Sequence, residues 1–345
     1  MEEYSREERL RVWLRGLPGV GNRKFQKLME FYGSAEEVWS DPSSIEGVRD
    51  EAALDAFFSR LAEEHIRILT RVSPDFPPQL QEIADAPEVL FLRGELPRRC
   101  FTVVGTRRAT LDGRRAAREF SHAIAQAGVA VVSGMAAGID QCAHEGALAA
   151  GKSVAVLGAG VDLPGSMESR ELCEQILESG GALLSEYYPG TPPLPGNFPA
   201  RNRILSALSP GILVVEAGEG SGALITAEYA FEQRRDVFAI PGSIYSPSSV
   251  GANRLIAEGA YPALDPGAIP EFYGWSGPSA TAKPTADLTE EEQRIVEFLL
   301  LEPLSMDELV EKSNFPVSKL NSCLTSLELR GIIVKAPGGI YRAYQ

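Results

Sequence analysis

Glycine- and serine-rich stretches recur through the middle of the chain, each directly after a short apolar run. They read Val104-Gly105-Thr106-Arg107, Ser133-Gly134-Met135-Ala136-Ala137-Gly138, Gly158-Ala159-Gly160, Glu216-Ala217-Gly218-Glu219-Gly220-Ser221-Gly222 and Pro241-Gly242-Ser243. Glycine lets a ligand approach the backbone closely, and N–H groups at helix starts carry partial positive charge, so such turns favour phosphate binding. One such turn could serve packing alone, whereas several on one sheet edge predict an anion-binding rim.

Arginines place fixed positive charge beside these turns. Arg107 ends the first turn, and Arg201 and Arg203 flank Asn202 where a later helix is expected to start. A guanidinium group can bind a phosphate through two parallel hydrogen bonds, which suits a groove that follows a nucleic-acid backbone. The densest basic cluster of the chain contains Arg107, Arg108, Arg114, Arg115 and Arg118. The alternative interpretation of this cluster is a solvated helix face with ion pairs.

Two further motifs match nucleotide-binding patterns, but their context argues against them. Residues 146–153 read GALAAGKS and fit G-x-x-x-x-G-K-[ST], yet a helix is expected before this lysine and a strand after it, the reverse of a phosphate loop. Residues 158–160 lack the third glycine of a dinucleotide site. With three histidines and four scattered cysteines, the chain also lacks the paired spacing of a metal site, so we expect no cofactor and no metal.

Apolar runs and helical stretches alternate from about residue 71 to residue 265. We predict strands at 101–105, 129–133, 153–157, 182–184, 212–216 and 237–240, and helices at about 112–127, 137–150, 168–179, 200–208, 222–234 and 250–258. Short apolar runs without polar alternation are typical of strands buried on both faces, and repeated strand–helix units predict a parallel sheet. The expected fold is therefore α/β, with a central doubly wound, Rossmann-like, mostly parallel sheet. Ligands of such sheets bind beyond the carboxyl ends of the strands, where the glycine turns lie.

Two smaller domains are predicted beside the sheet domain. Residues 1–70 have helical periodicity, and Gly16-Leu17-Pro18-Gly19-Val20-Gly21 is similar to the turn of a helix-hairpin-helix or SAM-like domain, which either holds a DNA phosphate or serves packing alone. Small residues and prolines at 266–287 predict a linker. Three helices and a hairpin within 288–345 predict a winged helix. Its third helix offers Lys319, Asn321 and Arg330, opposed by Glu328, so we favour a protein-contact or autoregulatory role over duplex reading.

The composition limits the class of protein. The 345 residues are 44% hydrophobic and 23% charged, which excludes wholesale disorder, and no apolar run reaches the ~18 residues needed to span a bilayer. The charged start of the sequence lacks an apolar signal core, so we expect a cytoplasmic protein. The net charge of −14 disfavours nucleic acid as a partner overall, but phosphate affinity depends on the local field rather than on the total.

A series of motifs, taken in order, resembles one family. The series is Val103-Val104-Gly105-Thr106-Arg107, Ser133-Gly134-Met135-Ala136-Ala137-Gly138-Ile139-Asp140, Phe198-Pro199-Ala200-Arg201-Asn202-Arg203-Ile204, Ser221-Gly222-Ala223-Leu224-Ile225-Thr226-Ala227, Phe238-Ala239-Ile240-Pro241-Gly242 and Gly251-Ala252-Asn253-Arg254-Leu255-Ile256. Over about 75–262 the chain resembles the DNA-processing protein A (DprA/Smf) family. The resemblance implies a homodimeric, non-enzymatic protein that binds single-stranded DNA, protects incoming strands and loads the RecA recombinase during natural transformation.

The rim and the resemblance together define an expected strand-binding set. It comprises Gly105, Thr106, Arg107, Ser133, Gly134, Gly138, Arg201, Asn202, Arg203, Ser221, Gly222 and Asn253. His144, one turn after Asp140, is expected to make a structural hydrogen bond rather than to act in catalysis. Two alternative functions stay open: a nucleotide hydrolase of the nucleoside-monophosphate phosphoribohydrolase type, which residues 216–228 loosely resemble, and a pure interaction scaffold.

Overall fold

Nine strands form one sheet in the computed structural model, which describes residues 4–163, 165–275, 288–301, 304–313, 315–329, 332–336 and 340–343. The strands are β1 Arg67–Thr70, β2 Val89–Gly94, β3 Cys100–Val104, β4 Ala130–Ser133, β5 Ser153–Val156, β6 Ala182–Ser185, β7 Gly211–Val214, β8 Asp236–Ala239 and β9 Tyr261–Pro262. Their order is β1-β2-β6-β5-β4-β3-β7-β8-β9. The segment from β6 to β9 is parallel, and β2 and β1 extend it as antiparallel strands.

Helices cover both faces of this sheet. In the first part of the chain they are α1 Arg6–Gly16, α2 Asn22–Tyr32, α3 Ala35–Ser40, α4 Glu51–Glu63, α5 Pro78–Gln81, α6 Leu111–Gln126, α7 Ile139–Leu148, α8 Met167–Glu178, α9 Asn197–Ala207, α10 Gly222–Glu232, α11 Val250–Ala257 and α12 Ala268–Phe272. Strand β3 shows how the two layers form: Phe101 and Val103 pack in the core beneath α6 and α7, whereas Val104 packs in the core beneath α9 and α10. Both faces are buried because successive side chains of a strand point in opposite directions.

The predicted parallel strands and their helices are confirmed to within a few residues, and the doubly wound α/β fold with them. Strands β1, β2 and β9 were not predicted. Because β1 completes the edge of the sheet through β2, the sheet begins at Arg67, before the expected boundary at residue 70. Strands β1 and β2 pair antiparallel and lie before the strand–helix repeats on which the prediction was based, and β9 has only two residues.

The stretch expected to be a linker from residue 266 is partly structured. Its first half contains α12, whose Ile269 is fully buried. The Tyr273 hydroxyl donates to an Asp236 carboxylate oxygen at 2.7 Å, and Trp275 stacks on the Tyr273 ring with centroids 4.4 Å apart. Burial of this aromatic end fixes the segment to the sheet, so the linker prediction was wrong for residues 266–275. Residues 276–287 lie outside the described part of the chain.

The N-terminal helices form one compact unit with the sheet, spanning residues 1–276. Gly19 has φ +75° in the turn between α1 and α2, and Gly21 precedes α2 without a side-chain cap. The Asn22 side-chain amide donates to Asp85 at 3.2 Å and to Glu186 at 3.0 Å, beside a cavity of about 470 Å³. Two carboxylates therefore hydrogen-bond at the start of α2, and the lining of the same cavity also includes the cations Arg15, Arg23, Lys24 and Arg203.

The second unit, residues 277–345, contains the predicted winged helix. Its elements are α13 Glu290–Leu301, β10 Leu304–Ser305, α14 Met306–Ser313, α15 Val317–Leu329, β11 Ile333–Ala336 and β12 Ile340–Ala343. Thr289 and Glu292 form a reciprocal capping box at the start of α13, as the S/T-x-x-E spacing predicts. On α15, Lys319 is ion-paired with Glu291 at 2.8 Å, while Arg330 lies outside the described residues.

None of the helices described here is both long enough and apolar enough to cross a bilayer.

Candidate nucleic-acid interface

A crevice opens at the carboxyl end of β3, where the strand order reverses. The chain proceeds from β3 through β4 and β5 to β6, and then returns to place β7 on the other side of β3. A cavity of about 350 Å³ lies there. Its lining includes Gly105, Thr106, Arg107 and Arg108 after β3, Ala136 and Asp140 after β4, Phe198, Arg201 and Asn202 on α9, and Ser221, Gly222 and Thr226 at α10. The topological switch point of the sheet is thus a ligand-sized pocket.

Arg107 and Arg108 are the two arginines of this pocket that are exposed to solvent. None of the ion pairs found in the described part of the chain involves Arg107. The Arg107 guanidinium lies over the Phe198 ring, 5.3 Å from the centroid. A second cavity of about 250 Å³, lined by apolar groups that include Met135 and Leu157, also borders Arg107 and Phe198. An exposed guanidinium and an aromatic ring between two cavities can take a phosphate and stack a base.

Phe198 was not in the expected strand-binding set. The sequence places it directly before the Arg-Asn-Arg stretch at a helix start, and an aromatic residue beside basic residues was the available signal. A phenylalanine in an apolar-rich chain is usually a core residue, so the type of residue alone did not single it out. The ring is half-buried here, because it packs on Gly158, where a Cβ would stand 3.0 Å from the ring.

Asp140 occupies the backbone amides that were expected to bind phosphate. The amide of Ala136 donates to its carboxylate at 3.4 Å, and the amides of Gly105 and Gly134 also hydrogen-bond to it. Burial raises the pKa of Asp140 to about 6, and Arg201 and these amides act in the opposite direction. The glycine turns after β3 and β4 are therefore closed by a carboxylate of the protein itself.

Glu216 plays a similar part for the turn after β3. It is buried, and its carboxylate accepts the Thr110 amide at 2.9 Å. Gly113 has no side chain there because a Cβ would stand 2.2 Å from a Glu216 carboxylate oxygen. The predicted rim of free amides is thus replaced, at these two turns, by turns whose amides are bound to carboxylates of the protein.

Four of the expected residues hold the turns together by close packing. The Ser133 hydroxyl is fully buried and donates to the Val103 carbonyl at 2.6 Å. Gly138 has φ +94°, and a Cβ on it would stand 2.5 Å from the Thr106 carbonyl oxygen. Gly105 and Gly134 are equally crowded, since a Cβ on either would lie within 3 Å of the side chains of Ile139 or Arg201. Glycine is required at these places for space and conformation.

Arg201 and Arg203 are buried, contrary to the expectation of a phosphate-binding pair. Arg201 lines the floor of the pocket but donates to the carbonyls of Gly134, at 2.9 Å, and Val156. Arg203 points away from the pocket and pairs with Glu186 at 2.8 Å. Both guanidinium groups serve internal partners, because a buried charge is costly unless it is hydrogen-bonded. We therefore omit Arg203 from the strand-binding set and assign Arg201 to its support.

The remaining expected residues divide between the pocket and its surroundings. Ser221 caps α10, and the Asn202 amide donates to the Gly222 carbonyl at 3.3 Å, so these three lie together at the pocket wall. Thr106 also lines the pocket. Asn253 is elsewhere: its side chain makes two 3.0 Å hydrogen bonds with the backbone of Gly242, which fasten the turn after β8.

His144 has the structural role that was predicted. It is fully buried, and its Nδ1 lies 2.7 Å from the Ser153 hydroxyl, which itself donates to the Val131 carbonyl at 2.8 Å. Since the hydroxyl proton is already used, Nδ1 carries the imidazole hydrogen. Burial lowers the pKa of His144 to about 3, so the ring is neutral. The helix-then-strand order of residues 146–153 is also as expected, with Gly146 packed against the Arg118 backbone.

The basic cluster after β3 divides into two groups. Arg115 pairs with Glu119 and Arg118 pairs with Glu145, both at 2.7 Å, as on an ordinary solvated helix face. Arg107 and Arg108 lie at the pocket instead. The local positive field of the site therefore comes from the turn rather than from α6.

Comparisons with known proteins identify relatives over most of the chain. The family model "DNA recombination-mediator protein A" matches residues 67–274, and "DprA winged helix domain" matches residues 279–339. Protein Smf of Escherichia coli is 38% identical over 294 residues, 82% of this chain and 79% of that protein. DNA processing protein DprA of Streptococcus pneumoniae is 36% identical over 255 residues, 70% of this chain and 90% of that protein.

Two solved structures share the fold. DNA processing protein A from Streptococcus pneumoniae superimposes with a TM-score of 0.64 at 34% identity, covering 75% of this chain and 95% of that one. DNA processing protein A from Helicobacter pylori, whose structure describes a single-stranded DNA binding mode, gives a TM-score of 0.54 at 25% identity, with 60% and 95% coverage.

Proposed function

Because this chain belongs to the DNA recombination-mediator protein A family, we propose that it binds single-stranded DNA through the pocket at the switch point of its sheet. The observation that supports this most directly is the exposed Arg107 guanidinium over the Phe198 ring, between two cavities. The guanidinium neutralises a phosphate of the strand, and the ring offers a stacking surface to an unpaired base. The strand-binding residues are then Arg107, Phe198, Thr106, Ser221 and Gly222.

This geometry favours an unpaired strand over a duplex. The bases of a duplex are stacked on each other and cannot reach Phe198, whereas an unpaired base can. Neither a guanidinium–phosphate contact nor a stacking contact reads base identity, so binding should be nearly independent of sequence. Each phosphate contact releases counterions, so affinity should fall as salt rises.

In the cell, the function we propose is that of a recombination mediator. The protein would shield incoming single strands in the cytoplasm, load RecA recombinase onto them during natural transformation, and carry out no catalysis of its own. The family supports the mediator role. The carboxylates near the pocket also fit a non-catalytic role, because Asp140 and Glu216 are engaged by backbone amides.

We further propose that the protein acts as a homodimer through the edge of the sheet that ends in β9. Tyr261, Leu264 and Phe272 are 45%, 75% and 47% exposed there, and the Tyr261 and Phe272 rings lie 4.9 Å apart. A second copy would bury these side chains and align two pockets along one strand, which raises the affinity for a long strand by avidity.

A gel-shift titration of poly-dT and of duplex DNA at two salt concentrations tests the binding proposal. We expect tighter binding to poly-dT, and a loss of about ten- to hundredfold for Arg107→Glu, because a charge-assisted contact is replaced by repulsion. Arg115→Glu is the matched control: it makes the same charge change at an exposed arginine of α6 and should have a much smaller effect. Equal affinity for duplex, or equal losses in the two variants, would contradict the proposal.

The hydrolase alternative is tested on the same preparation. Incubation with AMP should leave the nucleotide intact, and release of free adenine in proportion to protein concentration would favour a phosphoribohydrolase instead.

A further inference from the structure

Asp140 stands at the one place where the glycine turns after β3 and β4 meet. It lies in the first turn of α7, is 6% exposed and forms part of the pocket floor. Its carboxylate accepts amides from both turns: Gly105 from the first, and Gly134 and Ala136 from the second. A buried carboxylate is costly, and the raised pKa of Asp140 reflects that cost, so its presence calls for a reason other than stability.

The turn that carries Arg107 rests directly on the start of α7. The Ile139 amide donates to the Thr106 carbonyl at 3.2 Å. Gly138 lies so close that a Cβ on it would stand 2.7 Å from the Arg107 carbonyl oxygen. Arg107 thus has its main chain held against α7, while its side chain has Phe198 beneath it. The backbone position of Arg107 is set by whatever holds these two turns together.

We propose that Asp140 is the positioning residue of the strand-binding pocket: its carboxylate draws the two glycine turns together and so presents the Arg107 guanidinium to the strand. This inference rests on the proposed function. Asp140 does not itself contact the strand, and it acts through Arg107. Arg201 completes the arrangement from α9, since its guanidinium and the Asp140 carboxylate both lie within 3 Å of the position that a Cβ on Gly134 would take.

Asparagine is the informative replacement because it keeps the shape of the side chain. The carboxylate presents two acceptor oxygens to three N–H groups, whereas an amide offers one oxygen and turns its own NH₂ group toward an N–H. The turns should then separate, and Arg107 should lose its alignment with Phe198. A positioning role predicts a specific result: Asp140→Asn should weaken strand binding when Arg107 is present and should have little effect when Arg107 has been replaced.

The test is a double-mutant cycle with the full chain and poly-dT. We expect Asp140→Asn to weaken binding about tenfold in the wild-type background and less than twofold in the Arg107→Ala background. Asp112→Asn is the matched control, since it removes an exposed carboxylate from the first turn of α6 without touching the amides, and it should be near neutral in both backgrounds. Equal losses in both backgrounds would overturn the positioning role, whereas a wild-type protein that fails to bind poly-dT would overturn the proposed function instead.

A pH series on the unmutated protein covers the case in which Asp140→Asn does not fold. The charged groups that share the cavity with Asp140 are Arg201 on α9 and Arg107 and Arg108 on the turn after β3, and His144 on α7 stays neutral above about pH 3. As pH falls from 7.5 to 5, protonation of the carboxyl releases its hold on the amides. The affinity advantage of the wild type over Arg107→Ala should therefore shrink several-fold, and a constant ratio would refute the proposal.

Discussion

Asp140 and His144 are buried one turn apart on α7, and burial shifts their pKa values in opposite directions. The pKa of Asp140 rises from 3.8 to about 6, so the folded protein holds a proton there that the unfolded chain releases, and this group stabilises the fold as pH falls through 6. The pKa of His144 falls from 6.5 to about 3, so the unfolded chain holds a proton that the folded protein excludes, and this group costs stability as pH falls below 6.5. Between about pH 4 and 6 the two effects largely cancel.

Replacing Asp140 should make the contribution of His144 to the pH dependence of stability measurable. In Asp140→Asn the His144 contribution is unopposed, so the free energy of unfolding should fall relative to the wild type by about 1.4 kcal/mol per pH unit between pH 6 and 4. Urea unfolding at half-unit pH steps measures this slope. Asp112→Asn should run parallel to the wild type, and a flat difference between Asp140→Asn and the wild type would show that this carboxyl does not titrate in that window.

At the scale of elements, helix α9 links the pocket to the N-terminal helices. Its first turn carries Phe198, its middle carries Arg201, and Arg203 pairs with Glu186 at the end of β6. Glu186 also accepts the Asn22 amide from α2 at 3.0 Å. One buried carboxylate therefore joins the helical hairpin, the sheet and the pocket helix. The N-terminal helices also share an apolar core with the sheet, in which Val12 and Leu61 pack with Phe91, and the two parts form one unit.

Loss of the Glu186 carboxylate should lower the stability of the whole first unit. Glu186→Ala removes the buried carboxylate that pairs with the Arg203 guanidinium, which is 5% exposed, and leaves the more exposed Asp85 as its ionic partner. The free energy of unfolding should therefore drop by about 3 kcal/mol, the lower end of the cost of breaking a buried pair. Replacing both residues with apolar ones of similar size, as in Glu186→Leu with Arg203→Met, should restore most of this loss. Urea denaturation measures the stability of all three proteins. The control is Glu258→Ala, which breaks the solvent-exposed Arg254 pair and should stay within experimental error of the wild type.

At the scale of the whole molecule, the chain is two compact units, and the pocket lies wholly within the first. The described residues that line the pocket all belong to the first unit, and the winged helix has its own apolar core around Ile295, Leu309 and Leu324. The exposed aromatic edge at β9 belongs to the first unit as well. We therefore expect a single pocket per chain, and a longer binding site only when two chains associate.

The oligomeric state gives the corresponding prediction. Leu264→Glu places a charge in the exposed apolar edge, and we expect light scattering to show monomers where the wild type is dimeric. Affinity for long poly-dT should fall, while affinity for a strand too short to reach two pockets should stay the same. Phe31→Glu, at an 81% exposed residue of α2, is the control and should leave the dimer intact. A wild type that is monomeric at all concentrations would rule out the dimer proposal.

The sequence by itself determined which segments form the parallel strands and their helices, the winged helix, and the importance of the glycine turns, because these depend on local periodicity and on residue types at fixed spacing. It also placed Arg107 at the pocket. The tertiary structure alone decided which arginines are available to a ligand. Arg203 is ion-paired with Glu186, a residue of another segment, and Arg201 donates its hydrogen bonds to backbone carbonyls. It likewise decided that Asp140 and Glu216 fill the turns and that Phe198 lies beneath Arg107. Whether a charge or an amide is available to a ligand depends on its neighbours in space, and those neighbours come from distant parts of the chain.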